Sequence, residues 1–265
     1  MSRQTDALPL IVGHRGASAL APENTLAAFR RAIDDGAEGI EFDVRLVQDD
    51  TAVVIHDDTL VRTAGKAVQV ADLTSDELGQ IDVGTWFNAV FPAKADVNFS
   101  AETVPTLAKT LKFLNGFTGR IYIELKCDES DATGLTKAVA REINGSPLLR
   151  QIIVKSFKLS VIPHIRQICP GIRTAALFAP KIMSMLRKER YIVNIAEEFG
   201  ADELSLHYSL ATRGLMNKSD LRGFHVTIWT VNRPAWAARA QRLGIYALIT
   251  NNPAMFPRAR QNRER

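Results

Sequence analysis

What most constrains the fold is a repeat of form: a short β-branched or aliphatic run, a helical pattern, a glycine, then the next run. Gly36, Gly116, Gly145, Gly171, Gly200, Gly223 and Gly244 each follow an apolar-periodic stretch and precede an extended one, where a helix C-terminus calls for a left-handed residue. The runs read as strands over residues 10–13, 39–44, 120–125, 152–157, 174–178, 203–206, 226–229 and 247–249. Alternating β and α units imply a parallel sheet, and 265 residues suit eight of them closed into one (β/α)8 TIM barrel of about 250 residues. A doubly wound open sheet would be expected to carry Gly-x-Gly-x-x-Gly after the first strand, and none occurs.

A ninth run, residues 52–56, follows the second strand too closely for a crossover helix, so a hairpin is expected. A two-residue turn at Asp49-Asp50 would set Asp43 directly opposite His56. The stretch from His56 to Glu124 is more than twice the ~30 residues of an average barrel unit. Its surplus, residues 59–103, reads as an insertion rich in turn formers. Trp86, Phe87, Phe91 and Phe99 are expected to build the insertion's own small core rather than an acyl-chain or membrane contact.

Polar residues punctuate the strands at His14-Arg15-Gly16, Glu41-Phe42-Asp43, His56-Asp57 and Glu124-Leu125-Lys126. Ionisable groups in apolar segments are costly unless they pair or bind something. Strand residues i and i+2 share a face, which puts Glu41 beside Asp43 and Glu124 beside Lys126. His14, Glu41, Asp43, Glu124 and Lys126 all fall at the C-terminal strand ends, where a barrel of this kind carries its chemistry. Three carboxylates offer an all-oxygen set suited to one hard divalent cation, Mg2+ or Ca2+, rather than zinc. His14 and His56 come from different strands and are candidates for general acid and base, in either order. Arg15 and Lys126 supply positive charge for phosphate oxygens, and Lys126 can also neutralise Glu124. Of the other histidines, His164 falls in a helical stretch, His225 starts a strand at the wrong end, and His207 is left unassigned. Glu23 and Asn24 precede the first helix, with Asn24 as its expected N-cap and neither given a catalytic role.

The segments Gly13-His14-Arg15-Gly16-Ala17-Ser18, Pro22-Glu23-Asn24-Thr25, Gly39-Ile40-Glu41-Phe42-Asp43-Val44, Val53-Val54-Ile55-His56-Asp57 and Ile123-Glu124-Leu125-Lys126 occur in that order. Ser156-Phe157, Trp229-Thr230-Val231-Asn232 and Ile249-Thr250-Asn251-Asn252-Pro253 extend the series across nearly the whole chain. In order and spacing the set resembles the glycerophosphodiester phosphodiesterase family. The resemblance implies a barrel of the phospholipase-C-like type with a small insertion over its mouth. It also implies Glu41, Asp43 and Glu124 as metal ligands, and Trp229 as the aromatic against which the substrate alcohol rests. The chain departs from the family at Asn251, where relatives usually carry Asp.

Composition fits these expectations. An apolar fraction of 46% describes a globular chain with material for a real core. No apolar stretch approaches the ~20 residues of a membrane span, and Met1 to Leu10 shows no basic region followed by an apolar run, so a cytoplasmic protein without stable membrane association is expected. Cys127 and Cys169 are too few for a disulfide framework. Of the net charge of +4, the tail residues 257–265 supply +3; a frayed basic end explains the excess, and nucleic acid is not an expected partner.

The leading function is metal-dependent hydrolysis of a small glycerophosphodiester to an alcohol and sn-glycerol 3-phosphate. Lysophospholipase D-type cleavage of acylated lysolipids uses the same residues, and a catalytically silent phosphodiester-binding barrel is the reading from another class. A zinc amidohydrolase on this fold is disfavoured because no His-x-His occurs.

Overall fold

A computed structural model describes residues 8–180 and 189–256, so the basic tail and the extreme N-terminus lie outside the described residues. Eight parallel strands form the ring: β1 (Leu10–His14), β2 (Gly39–Leu46), β4 (Arg120–Leu125), β5 (Ile152–Ser156), β6 (Arg173–Phe178), β7 (Glu203–His207), β8 (His225–Trp229) and β9 (Ala247–Thr250). Pairing of β1 with both β9 and β2 closes the barrel, and β3 (Ala52–Val54) lies antiparallel to β2 outside it. Among the described residues an α-helix follows each ring strand but the last: α1 (Leu26–Asp34), α2 (Leu107–Phe113), α3 (Ala132–Ile143), α4 (Val161–Ile168), α5 (Glu189–Glu198), α6 (Arg213–Leu221) and α7 (Trp236–Leu243). The seven punctuating glycines all take positive φ, as their position after a helix requires.

Strand alternation sorts the side chains into two cores. Ile40, Phe42, Val44, Ile121, Ile123, Leu125, Ile152 and Val154 face outward and pack with helix residues such as Phe29, Leu107, Leu135 and Ile165. Val12, Tyr122, Ile153, Ala175, Ala247 and Ile249 fill the lumen. Parallel register then aligns the inward polar residues: His14 pairs with Glu41, Asp43 with Glu124, and Glu124 with Lys155.

Two local expectations are corrected. The hairpin turn is a three-residue loop, Gln48 to Asp50, closed by bonds from the Val47 amide to the Thr51 carbonyl (3.1 Å) and from the Asp50 amide to the Val47 carbonyl (3.0 Å). Asp50 is left-handed at φ 57°, a conformation that Asp tolerates better than most residues, and it absorbs the extra residue. Asp43 therefore faces Ile55, whose amide donates to its carbonyl at 3.0 Å, and not His56. His56 lies beyond the last paired residue, where Arg45 Nε holds its carbonyl at 2.8 Å. The N-cap of α1 is Thr25, whose hydroxyl accepts from the Ala28 amide; Asn24 is at φ 59° and turns its side chain elsewhere.

Short helices fill residues 61–101. Leu60, Val70, Leu78, Ile81 and Val83 pack with Val53 and Ile55 into a separate core. Phe87 is buried under Trp86, Phe91 and Phe99, with ring centroids 4.9–5.9 Å away, so the aromatics do form the insertion's own core.

Candidate active site

The site is built on the rim residues of β1, β2, β4 and β5. Among the described residues Glu41, Asp43 and Glu124 form the acidic group whose oxygens converge, all within 4.8 Å of one another, and all three are buried. Three like charges so close are tolerable only with cations against them. Arg15 Nε lies 3.1 Å from Asp43 Oδ2, and Lys126 Nζ lies 3.3 Å from Asp43 Oδ1 and also pairs with Glu124. Lys155 Nζ sits 2.8 Å from Glu41 Oε1 and 3.5 Å from Glu124 Oε2. Burial would raise the carboxyl pKa values, but Lys155 and His14 at Glu41, and Arg15, Lys126 and His56 at Asp43, bring both below their ordinary values. Glu41 and Asp43 are thus ionised at neutral pH, and a convergent, all-oxygen acidic set fits a hard divalent cation.

Asn24 is part of this site. Its Nδ2 donates to Asp43 Oδ2 at 3.0 Å and its Oδ1 accepts from the Asp43 backbone amide at 3.3 Å, tying it to both the carboxylate and the main chain of that residue. The connection that delivers it is tight: a Cβ on Gly16, at φ 80°, would lie 2.5 Å from the backbone of Ala28. Only glycine lets the turn after β1 pass under α1 and set the Arg15 amide 3.1 Å from Glu41 Oε2.

The two histidines flank the carboxylates with different partners. His14 Nδ1 is 2.7 Å from Asn251 Oδ1, and its Nε2 is 4.0 Å from Glu41 Oε2. Burial pushes the His14 imidazole below its ordinary pKa, opposed by Glu41. His56 Nδ1 is 2.7 Å from Asp57 Oδ1. Burial would raise the Asp57 carboxyl, but hydrogen bonds from Arg62 and His56 bring it down to about 2. Asn251 is held by its own amide donating to Asn232 Oδ1 at 2.9 Å.

Across the mouth, Trp229 ends β8 in an aromatic wall, with Phe157 5.7 Å and His207 5.3 Å from it, both edge-to-face. Lys126 Nζ lies 5.9 Å over the Phe157 ring, which joins the wall to the charged cluster. His207 is a wall residue, while His164 is exposed on α4 and His225 stacks on Tyr246 at the opposite end of the barrel. Cys127 and Cys169 are free thiols, and burial raises both.

All eight residues singled out from the sequence, His14, Arg15, Glu41, Asp43, His56, Glu124, Lys126 and Trp229, lie at this rim. Sequence reasoning missed Lys155, although a lysine inside Ile152-Ile153-Val154-Lys155-Ser156-Phe157 was a visible signal. It also missed the contacts of Asn24 and Asn251, whose partners lie far away along the chain.

Comparison with known proteins agrees with this geometry. The model of the glycerophosphoryl diester phosphodiesterase family matches residues 14–255. YhdW of Bacillus subtilis (strain 168), itself provisionally assigned as a glycerophosphodiester phosphodiesterase, is 33% identical over 243 residues, 92% of this chain and 94% of its own. The glycerophosphodiester phosphodiesterase of Caldanaerobacter subterraneus is 29% identical over 250 residues, covering 92% and 94% of the two chains. The solved structure of an Oleispira antarctica phosphodiesterase in complex with the product sn-glycerol-3-phosphate matches with a TM-score of 0.78 at 24% identity, over 93% of this chain and 94% of that one. That last likeness speaks for the fold; the family match and the relatives speak for descent. The chain belongs to the glycerophosphoryl diester phosphodiesterase family and is an enzyme of that class.

Proposed function

We propose that this enzyme hydrolyses glycerophosphodiesters to an alcohol and sn-glycerol 3-phosphate, with one Mg2+ or Ca2+ held by Glu41, Asp43 and Glu124. The observation that carries the reading is the convergence of three buried carboxyl groups between two histidines, each tied at Nδ1 to an acceptor. A bound divalent cation would draw charge from a phosphate oxygen. Arg15 and Lys126, already facing Asp43, are the side chains available to the remaining phosphate charge.

The partners of the two histidines divide their work. His14 sits against a neutral amide, and with its Nδ1–H donating to Asn251 Oδ1 the Nε2 lone pair is free to take a proton from the attacking oxygen, whether water directly or a neighbouring substrate hydroxyl whose cyclic phosphate water then opens. His56 is paired with the anionic Asp57, the arrangement suited to an imidazole that carries a proton to the departing alkoxide. Trp229 and Phe157 form the apolar wall for the alcohol. The insertion, tied to the rim by Arg62 and by Lys94 Nζ on the Ala19 carbonyl at 2.7 Å, covers one side of the mouth. Because its aromatics are engaged with Phe87, a small deacylated substrate suits the site better than an acylated one.

Enzyme-coupled detection of glycerol 3-phosphate from glycerophosphocholine and glycerophosphoethanolamine, with Mg2+, Ca2+ or EDTA, tests the proposal. Release that EDTA abolishes and either metal restores supports it. No release with any metal would refute it.

A further inference from the structure

The acid/base histidine and the phosphate-facing arginine are joined by an arc of alternating charge that leaves the barrel and returns to it. From Asp43 it runs to Arg15 Nε (3.1 Å), then from Arg15 Nη1 to Glu23 Oε1 (2.7 Å). Arg62 grips Glu23 with both Nη atoms, Nη1 to Oε2 at 2.9 Å and Nη2 to Oε1 at 2.8 Å, and donates from Nε to Asp57 Oδ2 at 2.7 Å. The other Asp57 oxygen, Oδ1, holds His56 Nδ1 at 2.7 Å, and His56 lies within electrostatic reach of Asp43. Arg62 is the keystone, the one member of the arc supplied by the insertion. It is also the one that touches both branches.

Ordinary surface ion pairs contribute little because two flexible side chains must be ordered for one screened contact. Arg62 departs from that pattern in three ways. Three of its guanidinium nitrogens are engaged, two of them in a fork on one carboxylate, which fixes direction as well as distance. The Glu23 side chain it meets is only 13% exposed. Its guanidinium also lies 5.6 Å from the ring of Trp86, whose own Nε1 is anchored to the Val83 carbonyl at 2.8 Å inside the insertion.

We propose that Arg62 is a positioning residue for catalysis, through which the insertion sets the orientation of His56, by way of Asp57, and of Arg15, by way of Glu23. On this view the insertion acts as a clamp on the catalytic rim, whatever headgroup the mouth admits. The inference rests on the reading of His56 and Arg15 as proton-transfer and phosphate-holding groups. Without the Arg62 guanidinium, Asp57 loses the cation that aims it at His56, and Glu23 keeps Arg15 as its sole partner in the arc. Supporting residues of this kind typically change activity by about 10–100-fold when removed.

The test compares wild type, Arg62→Ala and Arg62→Lys in three measurements: kcat and KM for glycerol 3-phosphate release from glycerophosphocholine, Mg2+ affinity by calorimetry, and the 15N signature of the His56 ring. In Arg62→Ala we expect kcat to fall about 10–100-fold with KM and Mg2+ affinity nearly unchanged, and the 15N signature of the His56 ring to change. Arg62→Lys keeps the charge but cannot fork on Glu23 while also reaching Asp57, so it recovers only part of kcat. If Arg62→Ala does not fold, Arg62→Lys decides alone, with a kcat at the wild-type level overturning the proposal. A kcat within twofold of wild type and an unchanged ring signature in Arg62→Ala would also overturn it, as would a loss that appears only as weakened Mg2+ binding. If wild type releases no glycerol 3-phosphate, the proposed function fails, while a changed His56 signature still supports the positioning role and an unchanged one refutes it.

Discussion

Both ends of the barrel lumen bury charge, and they do so in opposite ways. At the floor, on the N-terminal strand ends, a single carboxylate is enclosed: Glu203 accepts from Arg173 Nη2 at 2.6 Å and from the Tyr122 hydroxyl at 3.2 Å. The same hydroxyl lies 3.4 Å from Thr227, and Arg120 Nε reaches the Tyr246 hydroxyl at 3.2 Å. Burial raises the Glu203 pKa despite Arg173 beside it, as for a carboxylate whose surroundings would accept it neutral. At the mouth three carboxylates crowd within 4.8 Å and two of them are forced below their ordinary pKa by the cations around them. Buried charge by itself does not mark function. What separates the two ends is convergence: the floor network closes on itself, whereas the mouth aims several like charges at one point, which costs stability unless something is bound there.

The contrast can be broken by mutation. The largest effect is expected at His14, the proposed proton-transfer residue, where His14→Ala should lower kcat for glycerol 3-phosphate release by about 10²–10⁴-fold. Near-normal turnover in that variant would remove His14 from the mechanism. Next, Lys155→Met strips the buried counter-charge shared by Glu41 and Glu124, and in EDTA it should cost about 3–5 kcal/mol of unfolding free energy in denaturant titrations. Added Mg2+ should recover part of that loss; a loss indifferent to Mg2+ would mean the carboxylates do not share a cation.

Asn251→Ala comes third. Freed of its Nδ1 acceptor, His14 should turn over substrate about tenfold more slowly with KM little changed, and equal losses in kcat and KM would argue against an orienting role. The smallest effect belongs to the floor. Because Glu203 has a raised folded-state pKa, the folded chain keeps a proton that the unfolded chain releases near the ordinary 4.5. Its contribution to stability is complete below that pH and declines as pH climbs toward the folded value. The melting temperature of wild type relative to Glu203→Gln should therefore drop by a few degrees at most as pH rises through this window. A rise over the same window would reverse the sign of the account.

Much of this molecule was legible in its sequence. The eight ring strands could be read because period-two apolar runs and left-handed glycines are local signals, and Glu41, Asp43 and Glu124 because i,i+2 spacing in a parallel barrel leaves little freedom of direction. The errors share a physical cause. The hairpin slipped by one residue because Asp50 can adopt the left-handed conformation almost as a glycine does, and nothing in the neighbouring residues distinguishes a two-residue from a three-residue loop. Asn24 looked like a helix cap because a side chain that caps a helix equally well caps a carboxylate from another strand; Thr25 stood next to it to take the cap. Lys155 was overlooked because its worth depends on two acids on other strands, and Arg62 because its arc joins residues that only the closed barrel brings together.

The central claim, that the crowded carboxylates of the mouth and not the enclosed carboxylate of the floor hold a divalent cation, is tested most directly by calorimetric titration of Mg2+ and Ca2+ into wild type, Glu41→Gln and Glu203→Gln. The expected result is one saturable site per chain in wild type and in Glu203→Gln, lost in Glu41→Gln. Binding that survives in Glu41→Gln, or no saturable binding in wild type, would contradict the account.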